Sequence, residues 1–201
     1  MATAPSKAET KREKVLRAAL DVFSREGYGN TAVDDIAKEA STSKGGIYFH
    51  FPSKQALFLA LIDEAGGLLL RRVEEAMAKE TDPLAKGDAA LKAALSTFGK
   101  NRTLARLLLI EALGAGKEFN AKLSALHAAF AMLITGYLDE AVAAGVLPPH
   151  DTELAGVAWF GAVNQVVTRW VMTGEPKHLM DAYEPLRALL LFGVSGNESD
   201  R

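Results

Sequence analysis

Lys44, Gly45, Gly46, Tyr48, Phe49 and His50 form a short run whose side chains and gaps suit a polyanion with readable edges. A lysine ammonium donates to a guanine edge, a tyrosine hydroxyl or an imidazole binds phosphate, and glycines let a backbone come close to a nucleic acid. Two adjacent glycines cost a helix about 1 kcal/mol each relative to alanine. Stability therefore does not explain them, whereas close approach does. Taken singly, Tyr48, Phe49 and Phe51 are ordinary core aromatics; the register of the whole run favours an outward Tyr48 and leaves Phe51 to the core.

Signals for catalysis are thin. His50, His127, His150 and His178 are scattered without metal-ligand spacing, and the absence of cysteine removes thiol nucleophiles, disulfides and Cys-ligated zinc. Gly114, Ala115, Gly116 and Lys117 partly match a phosphate loop. However, Glu111 stands where its first glycine belongs and Glu118 where Ser or Thr is required, so a helix-breaking turn is the better reading. No enzyme, cofactor or metal is expected. A second kind of site is sought among Phe98, Phe119, His127, Phe130, Trp159 and Asn164, candidates for the lining of a mostly apolar cavity. For the apolar ones core packing is the simpler account. His127 and Asn164 stand apart because a polar group on an apolar face needs a partner. Glu111, in an otherwise apolar segment, is expected to pair with Arg106 or to face solvent.

The elements that position these residues read as all-α. Apolar residues recur at spacings of three and four, and no alternating β-branched run stands between turn signals. Helices are expected over Ala8 to Glu26, Thr31 to Ala40, Lys44 to Phe49, Ser53 to Lys79, Pro83 to Gly99, Arg102 to Leu113, Lys117 to Ala144, Asp151 to Thr173 and Pro176 to Val194. Gly27 suits a left-handed C-cap, and Thr31 suits an N-cap supported by Asp34. Pro52 and Ser53 stop one helix and start the next. Gly114 with Gly116, Gly145 with Pro148 and Pro149, and Gly174 with Pro176 break the later ones. Residues 1 to 7 and 195 to 201 are small and polar and should fray.

Two short helices around the turn at Ser41, Thr42 and Ser43, covered by a longer first helix through Val15, Ala19, Val22 and Phe23, make a helix-turn-helix. The expected division is a DNA-binding domain over 8–53 and a ligand-binding and dimerisation bundle over 54–194, joined by the long helix from Ser53. From Phe23 to Leu57 the chain resembles the DNA-binding domain of the TetR family. Gly27-Tyr28 followed by Thr31, Asp35-Ile36-Ala37, Ser43-Lys44-Gly45, and Tyr48-Phe49-His50-Phe51-Pro52-Ser53-Lys54 all stand in register. The resemblance implies that Ser43, Lys44, Gly45 and Gly46, with Thr42 beside them, face the major groove, and that Phe49 lies among them. It implies phosphate contacts for Thr31, Tyr48, His50 and Lys54. Ser41 and Thr42 depart from the glycine and apolar residue usual in the family's turn, so a serine is expected at positive φ at a cost of about 1 kcal/mol.

The resemblance further implies a homodimeric repressor, released from a palindromic double-stranded operator by a small apolar effector. The alternative is a ligand-binding protein of this fold that has lost sequence-specific DNA binding. Small residues (Ala155, Gly156, Ala158, Gly161, Ala162) and an apolar face (Leu179, Tyr183, Leu186, Leu190) suit the last two helices to association. Net charge is −2 overall, but residues 1–54 hold nine Lys/Arg against seven Asp/Glu (+2) and the remainder 14 against 18 (−4). Lys7, Lys11, Arg12 and Lys14 add a basic cluster, read either as further phosphate contacts or as a solvated arm. A polar first 14 residues and no apolar run near 20 residues lead to the expectation of a cytoplasmic protein with no membrane segment.

Overall fold

A computed structural model describes residues 10–113 and 116–192. The expected helix start at Ala8, Lys7, Gly114, the end at Val194 and the fraying ends lie outside those residues. Within them the chain folds as nine α-helices and no strand. Thr10 caps α1 (Lys11–Glu26) through a reciprocal box with Glu13, a signal the sequence reading passed over. Helix α1 ends at Gly27, whose φ of 80° with ψ of 156° is positive as expected but lies outside the left-handed helical well, in a region essentially restricted to glycine. Helices α2 (Val33–Glu39) and α3 (Lys44–His50) follow, with Ile36, Ala37 and Ile47 buried under α1 and α4 (Lys54–Met77).

Helix α4 is 24 residues long, about 36 Å at 1.5 Å per residue, and it walls both regions of the molecule. Its first half buries Leu57, Phe58, Leu61 and Ile62 against the small helices. Its second half brings Leu69 and Val73 into the bundle of α5 (Pro83–Lys100), α7 (Lys117–Ala143) and α8 (Thr152–Thr173). One hydrophobic cluster runs unbroken from Val15 to Leu186. At roughly 1.5–3 kcal/mol per buried large apolar side chain, that continuity welds the two ends together.

Three expectations are corrected. The single helix over Arg102 to Leu113 is a short α6 (Arg102–Arg106) that opens into a π-helical turn, Leu107–Glu111, which leaves Leu107, Leu108 and Leu109 all buried. The final helix does not start at Pro176: a left-handed Gly174 and a 3₁₀ turn, Leu179–Ala182, precede α9 (Tyr183–Phe192). The proline reads in sequence as a helix start, but Leu179 is drawn into the core as part of the tighter turn. Finally, α7 is by length and composition long and apolar enough to cross a membrane, contrary to the expectation of no such segment. Here it packs against α8, α5 and α4.

Candidate nucleic-acid interface and effector cavity

Helix α3 owes its start to Ser43, whose hydroxyl accepts from the Gly46 amide at 3.1 Å. The turn before it places Ser41 at φ 51°, as expected for a serine standing in the glycine position. Ile47 and Phe51 point into the core, while Tyr48 is 41% and Phe49 84% exposed. Phe51 is thus a core aromatic, as the register implied. Thr42, Ser43, Lys44, Gly45, Tyr48 and Phe49 share one exposed surface, with His50 half-buried at its edge against Phe49. Lys44 reaches back to Asp34 on α2 at 2.7 Å; the hydrogen bond and the charge of that carboxylate raise its pKa. The two glycines have different surroundings. A Cβ on Gly46 would stand 2.5 Å from the Thr42 hydroxyl, which would have to turn aside, whereas around Gly45 the nearest atom would be 3.8 Å away.

Thr31 is buried and Lys54 half-buried, and each is bonded within the chain. The Thr31 hydroxyl donates to the Gly27 carbonyl at 2.7 Å, and α2 starts at Ala32 with no side-chain cap. Lys54 donates to the carbonyls of Tyr28 and Thr31 at 2.9 and 3.0 Å and lies over the Tyr28 ring. Thr31 closes the α1–α2 loop on itself and Lys54 holds that loop against α4, where backbone carbonyls left without helix partners need donors. In the basic cluster, Arg12 packs over Phe51 and approaches Glu64 at 4.0 Å, while Lys11 and Lys14 are exposed.

The second region is a cavity of about 120 Å³ inside the bundle, walled by α4, α5, the π turn, α7, α8 and α9. Of the expected lining residues, Phe98, His127, Phe130, Trp159 and Asn164 surround it. Phe119 does not. Its ring meets Tyr28 and Phe58, with Phe23 behind, in an aromatic cluster that joins α1, α4 and α7. His127 stacks near Phe160, and burial lowers its pKa. The sequence reading missed Asp88, Tyr137 and Arg187. Asp88 accepts from Tyr183, from Arg187 at 2.8 Å and from Lys92 at 2.9 Å; burial alone would raise its pKa, but these donors outweigh it and hold the carboxyl below its ordinary value. Only the Asp88–Lys92 spacing of four was visible beforehand.

Contacts between the two regions gather at the π turn. Leu108 and Leu109 line the cavity, while Glu111 at the end of the turn pairs with Arg106 at 3.1 Å and lies against Gly27. The ion pair is the one expected for Glu111. Ser24 on α1 donates to the Thr103 carbonyl of α6 at 3.2 Å.

The family profile described as "Bacterial regulatory proteins, tetR family" matches residues 15–61, and that of "YsiA-like protein, C-terminal region" matches residues 62–193. The chain belongs to the TetR family. It is a transcription regulator with an N-terminal helix-turn-helix, and its relatives are regulators and not enzymes. The fatty acid metabolism regulator protein of Bacillus subtilis (strain 168) is 25% identical over 182 residues, covering 90% of this chain and 94% of that protein. Among solved structures, the fatty acid degradation regulator of Bacillus halodurans superposes with a TM-score of 0.88 at 26% identity, over 96% of this chain and 100% of that one. The Bacillus subtilis regulator in complex with stearoyl-CoA gives 0.84 at 25% identity, over 90% and 98%.

Proposed function

We propose that this TetR-family chain is a homodimeric repressor that leaves a palindromic operator when a long-chain acyl-CoA enters the bundle cavity. The observation that carries the DNA half is α3: a capped helix with Ser43, Lys44, Gly45, Tyr48 and Phe49 facing out while Ile47 and Phe51 hold it from behind. A helix so mounted enters a major groove, with Thr42 to Gly46 at base edges and Tyr48 and His50 near phosphates. Lys44 is already tied to Asp34, so it exchanges a carboxylate for a guanine edge or phosphate. The alternative, a binding protein that has lost its operator, leaves the exposure of Phe49 unexplained.

The effector half is supported by the apolar cavity and by the stearoyl-CoA bound to the 25% identical relative. A cavity of about 120 Å³ is smaller than the roughly 150 Å³ that holds benzene, so a long acyl chain must spread its walls. Two of those walls lead to the DNA-binding end. Helix α4 carries the helix-turn-helix on Leu57 and Phe58, and the π turn presses Glu111 against Gly27. Spreading rotates the recognition helices away from the spacing of about 34–36 Å that successive major grooves require. A preference of about 1–3 kcal/mol for the DNA-free form suffices for regulation.

Dimerisation uses α8 and α9, with a corrected set of residues. Leu179, Tyr183 and Leu186 are buried within the chain and Gly156 packs on Thr135, so they do not meet a partner. Leu154, Val157, Met172 and Leu189 are exposed by 45–70%, and Gly161 faces open space. This reading places the protein in the cytoplasm, where a bacterial regulator meets its DNA. Anisotropy titration against DNA upstream of the gene, with and without stearoyl-CoA, is the test. Specific binding weakened by the thioester is expected; binding indifferent to it would sink the effector assignment, and no specific binding would favour the alternative.

A further inference from the structure

The cavity wall is not uniform. Tyr137 on α7 is 4% exposed, and its hydroxyl is the one buried side-chain polar atom with no hydrogen-bond partner among the described residues. The end of its ring lies over Gly87 of α5, where any Cβ would collide with ring and hydroxyl at 2.7 Å. Gly87 and Tyr137 both line the cavity, as does the neighbouring Asp88, which carries Arg187 and Lys92 on its carboxylate. The unpartnered hydroxyl of the wall and its charged side chains, Asp88 and Arg187, therefore gather at the first turns of α5, apart from the polar His127 and Asn164. Toward the DNA-binding end, about 16 Å along the same helix, the wall is largely apolar, with Phe98, Leu108, Leu109 and Leu123, and His127 lies one turn along α7 from Leu123.

We propose that Tyr137 donates a hydrogen bond to the acyl carbonyl oxygen of the effector, fixing the head of the thioester at Gly87–Asp88 and sending its tail toward Phe98 and Leu108. The placement rests on the acyl-CoA reading above. Burial, with the charge of Asp82 adding, pushes the Tyr137 hydroxyl up to about 12, so it stays a donor at neutral pH. Arg187 and Lys92 are 37% and 53% exposed and sit where the charged remainder of the ligand leaves the cavity. A carbonyl satisfies a buried hydroxyl that has no protein partner, which a hydrocarbon cannot do. The tail then reaches the π turn, the part of the wall that touches α1.

Calorimetric titration of the full-length protein with octanoyl-CoA and stearoyl-CoA tests this, using wild type, Tyr137→Phe and Leu108→Phe. Tyr137→Phe should weaken both thioesters by about ten-fold, the loss of one hydrogen bond. Its ligand-free melting temperature should hold or rise, because the hydroxyl removed had no partner; a purely structural tyrosine would lower it. Leu108→Phe should weaken stearoyl-CoA several-fold more than octanoyl-CoA, whose shorter tail does not reach the π turn. Wild-type affinity for both thioesters in Tyr137→Phe, or equal losses for the two chain lengths in Leu108→Phe, overturns the placement. If wild type binds neither thioester, the effector reading itself fails and the placement with it.

Discussion

Helix α3 turns Phe49 and Tyr48 out to solvent, whereas the cavity withdraws Phe130 and Tyr137 to below a tenth of their surface. On the reading proposed above, the two regions recognise by opposite means. The seven residues of α3 are adjacent in sequence, held by one capping serine and two anchors, and ready for contact before any partner arrives. The cavity is assembled from six elements spread from Leu69 to Leu191 and is too small for a long-chain ligand until its walls move. A rigid reader and a deformable sensor are what a switch needs, since a ligand shifts an equilibrium only through a difference in affinity between two arrangements. The aromatic cluster of Phe23, Tyr28, Phe58 and Phe119 with the π turn is where one meets the other.

The strongest way to break the contrast is to cut that junction. Phe58 is fully buried and its ring meets Phe23, Tyr28 and Phe119, so Phe58→Ala should destabilise the fold by about 3–5 kcal/mol in denaturant titration and impair DNA and ligand binding together. Loss of DNA binding alone would mean that the reader folds independently of the sensor. A smaller and more selective change is Tyr48→Ala, expected to weaken operator binding by about 1–3 kcal/mol while stability stays within about 0.5 kcal/mol and thioester affinity is unchanged. Anisotropy, thermal melting and calorimetry separate these readouts; a large drop in melting temperature would show Tyr48 to be part of the core. The smallest effect concerns pH. His127 in the cavity wall is half-buried and its pKa lies below the ordinary 6.5 because burial disfavours the charged form. The unfolded chain takes up the proton first, so this contribution to stability is full above pH 6.5 and is lost as the pH falls through and below that value. Chemical denaturation across pH 5 to 8 should show that fall, reduced in His127→Gln, and equal slopes in both proteins would place the titration elsewhere.

Local chemistry made the reader legible. Gly27, Ser43, Ser53 and the small residues around the turn act on backbone within four residues, so the helix ends near the motif, and a serine at positive φ in the turn, could be read without the fold. The types of Thr31 and Lys54 suit phosphate, while the loop carbonyls that bond both in this structure are brought to them only by the fold.

The sequence by itself determined the helical class and the placement and register of α3; it offered Phe98, His127, Phe130, Trp159 and Asn164 only as candidates, and helix packing brought them to the cavity wall. The class, the register and the candidates follow from periodicity, capping and the requirements of polar groups on apolar faces, which act over one or two helical turns. Tertiary structure alone decided that Phe119 is a junction residue, that Leu107–Glu111 widens into a π turn, and that Tyr137 lies without a partner over Gly87. Each depends on which helix lies across from which, and residues 50 apart in sequence carry no local signal of meeting.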